Sequence, residues 1–280
     1  MLINVFGENM EINKVEMYGG KELYLLGDVH LPRGCVGKFK AVIDEIKHNP
    51  KAVAILMGDY IEGINHRDPR YHPEETYVKG NVAETERRAV ASKKRVTNLV
   101  SDQFDEFEQL IAPIADKIIG LHAGNHEDKL VKHSGINELR RICKRLGIRY
   151  YDSGTALTSL QFPSGKVTIQ SSHGTGGGYL AGAAYNKMDR TSNYFEGVDI
   201  VAKGHTHKLG INCSVPPMKY VDGKLVARNQ YQCTTGSFLT NYVEGVVGYG
   251  ERAEFAPLPI GYIKVFIEDG KVTSVTAVPV

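Results

Sequence analysis

The sequence predicts an α/β fold, and three observations predict it. Short runs of apolar and β-branched residues recur along the chain, helical periodicities separate them, and five of the runs end in glycine beside Asp, Asn or His. The runs are "LYLLGDVH" (23–30), "AVAILMGD" (52–59), "KIIGLHAGN" (117–125), "KVTIQSSHG" (166–174) and "DIVAKGHTH" (199–207). Their unbroken apolar character fits strands covered on both faces.

The connecting segments follow in order. "GKFKAVIDEIKHNP" (37–50) spaces Phe39, Val42, Ile43 and Ile46 at helical intervals and stops at Pro50. Between the second and third strands lies an insertion at about 61–115. Its first part, 64–81, is polar and broken by prolines, a loop by composition. Its second part repeats Val96, Leu99, Val100, Phe104, Phe107, Leu110, Ile111 and Ile114 at three and four residues, a core-facing helical stripe. From about 208 to 280 the pattern turns to strands and turns. "GYIKVFIEDGKVTSVTAV" (261–278) predicts a hairpin turning at Asp269-Gly270. No internal repeat or low-complexity linker divides the chain, so residues 1–280 are expected to form a single domain.

Bulk properties exclude several classes. A chain of 280 residues can bury a full core, and 42% apolar with 24% charged residues is ordinary for a soluble globular protein. A net charge of +2 is too small to indicate nucleic acid or an anionic membrane. Cys35, Cys143, Cys213 and Cys233 are far apart, so neither a disulfide framework nor a thiolate zinc site is indicated, and mostly buried thiols in a reducing compartment are expected. No leader-like or membrane-spanning apolar run is present, which leaves a cytoplasmic soluble protein as the expectation.

The chemistry lies at the strand ends, where open α/β sheets bind ligands. Asp28 and His30, Asp59, Asn125 and His126, His173, and His205 and His207 all fall there. In extended backbone, residues i and i+2 project to one side, so Asp-x-His and His-x-His each aim two ligands at one point. Gly27, Gly58, Gly124 and Gly204 permit sharp turns and close approach. A single histidine near a strand end is usually a hydrogen-bonded structural residue, and an Asp after glycine is usually a turn. Five such ends in one chain point instead to a metal site. Carboxylate, amide and imidazole donors without thiolate suit manganese, iron, zinc or nickel.

"GDVH", "GDY", "GNHE", "SSHG" and "GHTH" resemble, in this order, the five motifs of the calcineurin-like metallophosphoesterase superfamily, over about residues 22–207. "TTGSF" (234–238) resembles a Gly-Ser strand start that follows the last motif in that family. The resemblance implies a four-layer αββα sandwich, with the helical insertion between the second and third motifs, and two metal ions. It implies that Asp28, His30 and His207 hold one metal, that Asn125, His173 and His205 hold the other, and that Asp59 bridges them. The activity implied is hydrolysis of a phosphomonoester or phosphodiester by a hydroxide shared between the metals. His126 would then give a proton or hydrogen bond to the leaving oxygen.

Glu62 occupies the offset at which the Ser/Thr protein phosphatase branch places an acid that orients this histidine. It either pairs with His126, or caps the next segment or faces solvent. Gly63 stands where that branch has an arginine, which counts against a protein phosphatase. Further features have two readings each. The glycines of 173–182 either approach a phosphate or form a loop. His66, Arg67, Arg70 and His72 either cover the site or are solvated. Seven Lys and Arg within 128–149, against Asp128 and Glu138, followed by Tyr150 and Tyr151, make either a nucleic-acid surface or a solvated helix face. The tyrosines of 179–194 fit packing better than base stacking. The alternatives to a general phosphoesterase are a DNA or RNA nuclease of the double-strand-break repair type and a non-catalytic scaffold on the same fold. The filled ligand positions favour an enzyme.

Overall fold

The computed structural model describes residues 12–63, 99–176, 182–192, 195–214, 219–226, 229–239, 242 and 256–280. The expectations for 64–81, for Val96 and the Leu99 side chain, and for most of the glycine-rich stretch after residue 176 lie outside the described residues.

Two six-stranded sheets form the centre. In the first, β2 (Lys21–Leu26), β3 (Ala52–Leu56), β4 (Ile118–His122) and β5 (Tyr150–Asp152) run parallel, and the hairpin β13 (Gly261–Glu268) and β14 (Lys271–Pro279) pairs antiparallel with β2. In the second, the order is β1 (Asn13–Glu16), β6 (Ala156–Phe162), β7 (Gly165–Ser172), β8 (Ile200–Lys203), β12 (Gln230–Thr235) and β9 (Leu209–Ser214). A short hairpin, β10 (Lys219–Val221) and β11 (Lys224–Val226), stands apart from both.

The apolar faces explain the layering. Leu23, Leu25, Ile55 and Met57 of the first sheet pack on Leu160, Ile169, Ile200 and Cys233 of the second. On the outer side of the first sheet, Tyr24, Leu26, Ala54 and Leu56 meet α1 (Val36–His48), α2 (Leu99–Ile111) and α4 (Glu138–Leu146) through Phe39, Ile43, Phe104, Phe107 and Ile142. On the outer side of the second, Leu157 and Val201 meet Met188 of α5 (Gly182–Ser192). The result is helix, sheet, sheet, helix: the four-layer αββα sandwich. Alternate residues of one strand serve both interfaces, so both faces are apolar and the strands read as continuous hydrophobic runs.

The helical expectations hold with sharper limits. Phe39, Val42, Ile43 and Ile46 are buried on α1. Phe104, Phe107 and Ile111 are buried on α2, whereas Ile114 belongs to a 3₁₀ segment (Ala112–Lys117) because Pro113 cannot continue the helix. Asp269 and Gly270 both have positive φ, as the tight hairpin requires. The cysteines differ in part from expectation. All four are unbridged, and Cys143 and Cys233 are buried, but Cys213 is exposed on β9. "TTGSF" does not begin a strand; Thr234 and Thr235 end β12, and Gly236 to Phe238 turn away from it. No helix among the described residues is long and apolar enough to cross a membrane.

Candidate metal centre

Strand register brings the motifs to one level. Leu26 pairs with Leu56 and Leu56 with Leu121 in the first sheet, and Ser172 pairs with Lys203 in the second. Asp28, Asp59, Asn125, His173 and His205 follow these positions by one to four residues. Beyond the strands, the first two motif loops continue to hold each other. His30 N–H donates to Asp59 O at 3.1 Å, and Leu31 N–H donates to Tyr60 O at 2.8 Å.

The local backbone differs from the extended pairing expected. Asp28, His30, Asp59, His205 and His207 all have positive φ, between 51° and 66°. These are turns past the strand ends. Each pair converges because the chain curls left-handed at both members, not because the pleat alternates. For non-glycine residues this conformation is uncommon, and clusters of it mark functional sites. Two glycines are required by close approach rather than by φ. A Cβ on Gly124 would lie 2.0 Å from Asp59 Oδ1, and one on Gly204 would lie 2.7 Å from Asp28 Oδ2.

Three groups of donor atoms result among the described residues; the third, His30, Glu62 and His126, shares His30 with the first. Asp28, His30 and His207 form the first. His207 Nε2 lies 3.2 Å from Asp28 Oδ1 and 3.0 Å from His30 Nε2. Asp59, His173 and His205 form the second. His173 Nε2 lies 3.2 Å from Asp59 Oδ2, 3.1 Å from Asn125 Oδ1 and 3.2 Å from His205 Nδ1. All seven residues expected as metal ligands are therefore assembled, and Asp59 falls in the second group.

The donor set fits divalent transition metals. His173 Nδ1 is 2.8 Å from the Met57 carbonyl, and as donor there it leaves Nε2 facing two oxygens and an imidazole nitrogen. Asp28 Oδ1 is buried with no hydrogen-bond partner, although Oδ2 accepts from His205 N–H at 3.0 Å. A buried carboxylate oxygen aimed at imidazole nitrogens is costly unless a cation sits among them. The electrostatics agree. Burial raises the Asp59 carboxyl, but the imidazoles of His173, His30 and His126 together outweigh it and hold the group at about 2. Burial lowers His173, but Asp59, Asp28 and the Met57 carbonyl together outweigh it and push the imidazole up to about 9.

Glu62 lies between two histidines. Its carboxylate lies 3.3 Å from His30 Nδ1 and 3.8 Å from His126 Nδ1, with Arg33 at 3.7 Å. His126 Nδ1 instead meets the Glu62 carbonyl at 2.7 Å. Glu62 thus touches His126 through its backbone carbonyl, while its carboxylate is nearer a histidine of the first group. His126 Nε2 is 4.0 Å from Asp59 Oδ2, and the His126 backbone N–H donates to Asp59 Oδ1 at 3.0 Å. Burial lowers its pKa.

Two supporting residues escaped sequence reasoning. Glu127, in "GNHE", is buried. Its Oε2 accepts from Gly124 and Asp59 N–H at 2.8 and 3.1 Å, and its Oε1 from Tyr60 and Ile61 N–H at 2.8 and 3.3 Å. The signal was available, since Glu127 is the third residue of α3 (Asn125–Ser134), the position from which a Glu reaches back to the cap. Ser237, in "TTGSF", donates from Oγ to Asp28 O at 3.0 Å and so anchors the first motif. The basic stretch 128–149 reads as a solvated helix face. Arg145 pairs with Glu108 and Glu138, Arg141 pairs with Glu138, and Arg140 lies over the Tyr150 ring.

All five motifs that resemble the calcineurin-like metallophosphoesterases meet at this one place. No protein-family model matches the chain, and no curated protein matches it. Solved structures do. Vps29 of Entamoeba histolytica complexed with Zn²⁺ is 14% identical, with 92% of this chain and 98% of that chain covered and a TM-score of 0.39. Vacuolar Protein Sorting 29 of Cryptosporidium parvum is 13% identical, with coverage of 93% and 99% and a TM-score of 0.40. A conserved uncharacterized protein of Streptococcus pneumoniae, described as a predicted phosphoesterase, is 13% identical, with coverage of 89% and 84% and a TM-score of 0.36. Likeness at this level brings neither activity nor partner to this chain.

Proposed function

We propose that the chain is a metal-dependent phosphoesterase of the calcineurin-like metallophosphoesterase superfamily. The observation that carries this reading is the pairing of two thiolate-free ligand groups, each with one buried carboxylate, beside His126, which joins the first group only through His30 and Glu62. Asp28, His30 and His207 would hold one ion and Asn125, His173 and His205 the other, with Asp59 between them. When bound, two divalent transition metal ions supply Lewis acidity toward water and toward a phosphoryl oxygen.

The chain's own groups do the rest. Asp28 and Asp59 hold positive charge where the phosphoryl oxygens must lie. Met57 O and the Glu62 carboxylate fix the ring orientations of His173 and His30. His126, held at Nδ1 by the Glu62 carbonyl, presents Nε2 toward the Asp59 side of the site, where it delivers a proton to the leaving oxygen. The unbridged cysteines support a reducing, cytoplasmic setting.

The test is a panel of p-nitrophenyl phosphate, bis-p-nitrophenyl phosphate and single-stranded DNA, with manganese, iron, zinc or nickel, and with chelator. Hydrolysis of a phosphoester that is abolished by chelator is expected. Cleavage confined to DNA would assign a nuclease. No hydrolysis with any metal would leave a non-catalytic scaffold.

A further inference from the structure

Beside the metal centre lies a cavity of about 200 Å³ with a distinct chemistry. Gly174, next to His173, and Gly204 and Thr206, on either side of His205, form the wall that it shares with the site. Lys187 of α5 and Lys203 at the end of β8 supply two ammonium groups, and no acidic or aromatic side chain lines it among the described residues. Neither lysine is fully engaged by the bonds identified. Lys187 Nζ donates to Thr175 O at 2.7 Å and Lys203 Nζ to Thr191 Oγ1 at 2.7 Å, whereas an ammonium has three donors. Thr206, a lining residue, leaves its buried hydroxyl without a hydrogen-bond partner.

These features choose among ligand classes. Two cations with no lining acid exclude a cation. Among the described residues no aromatic ring offers a base a stacking surface, and the volume is below the roughly 300–1,000 Å³ typical of pockets for drug-sized ligands. What remains is a small anion that accepts hydrogen bonds on several sides, held by point charges and hydroxyls.

We propose that this cavity is a second anion subsite, which binds a tetrahedral oxyanion carried by the substrate at a distance from the phosphoester being cleaved. The substrate of the centre is then a molecule with two phosphate groups. This part rests on the phosphoesterase reading; the anion site itself does not.

The experiment has two arms. In the first, the full-length chain is treated with chelator and titrated with sodium sulfate while its Tm is followed. The wild type is expected to gain Tm saturably, with Lys187→Met and Lys203→Met each weakening the apparent affinity at least tenfold and Lys203→Arg retaining it. A gain that persists in both methionine variants, or one lost equally in Lys203→Arg, overturns the subsite. In the second arm, KM is compared for alkanediol bisphosphates of two to six carbons and for their monophosphates, with the metals present. At least one bisphosphate is expected to have a KM tenfold below its monophosphate, and the Lys187→Met and Lys203→Met pair to erase the difference. Equal KM at every length overturns the assignment to substrate while a positive sulfate arm keeps the anion site. Turnover of no phosphoester at all refutes the phosphoesterase reading and leaves the sulfate arm to decide on the cavity.

Discussion

The Glu62 carboxylate lies 3.3 Å from His30 Nδ1, on the ring edge away from His207. A carboxylate behind a ligating imidazole fixes its tautomer and raises its basicity, and removing such a partner typically weakens metal affinity 10–100-fold. Glu62→Gln is therefore expected to lose affinity for one of two metals by that factor, measured by competition with a chromophoric chelator. Unchanged affinity with lost turnover would move the carboxylate's role to His126.

His126 separates from the ligands in the opposite way. It lies 4.0 Å from the nearest Asp59 oxygen and holds Glu62 O through Nδ1. His126→Ala is expected to keep two metals per chain by elemental analysis and to lose about 10²–10⁴-fold in turnover of a phosphoester with a poor leaving group. The loss should shrink for p-nitrophenyl esters, whose leaving oxygen needs less protonation. Loss of a metal would sink the role.

Glu127 makes a prediction about stability. Burial and the neighbouring Asp59 charge push its carboxyl up to about 7, while four backbone N–H groups favour the ionised form. Glu127→Ala strands these buried donors, each worth about 1–3 kcal/mol when left unpaired. The metal-free variant should unfold several kcal/mol more easily in urea, or fail to fold. Glu127→Gln keeps one acceptor and should fall between. A metal-free Glu127→Ala as stable as the wild type would contradict the capping role.

How much of this was legible in the sequence depends on the kind of fact. The convergence of the candidate ligands was, because Asp28, Asp59, Asn125, His173 and His205 each follow an apolar run by a few residues, and parallel neighbours within each sheet end at one edge. The layers were legible only through the motif resemblance, since a run such as 52–56 does not reveal that Ile55 faces a second sheet while Ala54 and Leu56 face helices. The direction of a side chain off a turn was not legible either. Glu62 sits three residues after Asp59 in any conformation, and whether it is nearer His30 or His126 depends on left-handed turns at Asp28, His30 and Asp59, which non-glycine residues do not announce. Ser237 contacts Asp28 across 209 residues, a pairing that no local pattern encodes.

The last prediction concerns a histidine outside the metal groups. His122 ends β4, is fully buried, and has Nε2 at 2.8 Å from Ser171 Oγ and Nδ1 at 3.3 Å from Asp152 O, so it ties the two sheets together. Burial lowers its pKa to about 4, against 6.5 ordinarily. In the unfolded chain the imidazole takes up a proton as pH falls through 6.5, but in the folded chain it does so only near 4. Over that window the unfolded state binds more protons, so acid favours unfolding. The loss between pH 7.5 and pH 5 from this one group comes to about 2 kcal/mol. His122→Gln removes the titration and offers an amide in its place. Its stability by urea denaturation should fall less steeply over the same range, so that the gap between wild type and variant narrows by about 2 kcal/mol at pH 5. Parallel curves would show that His122 binds its proton equally in both states, and would contradict the burial of its neutral ring between the sheets.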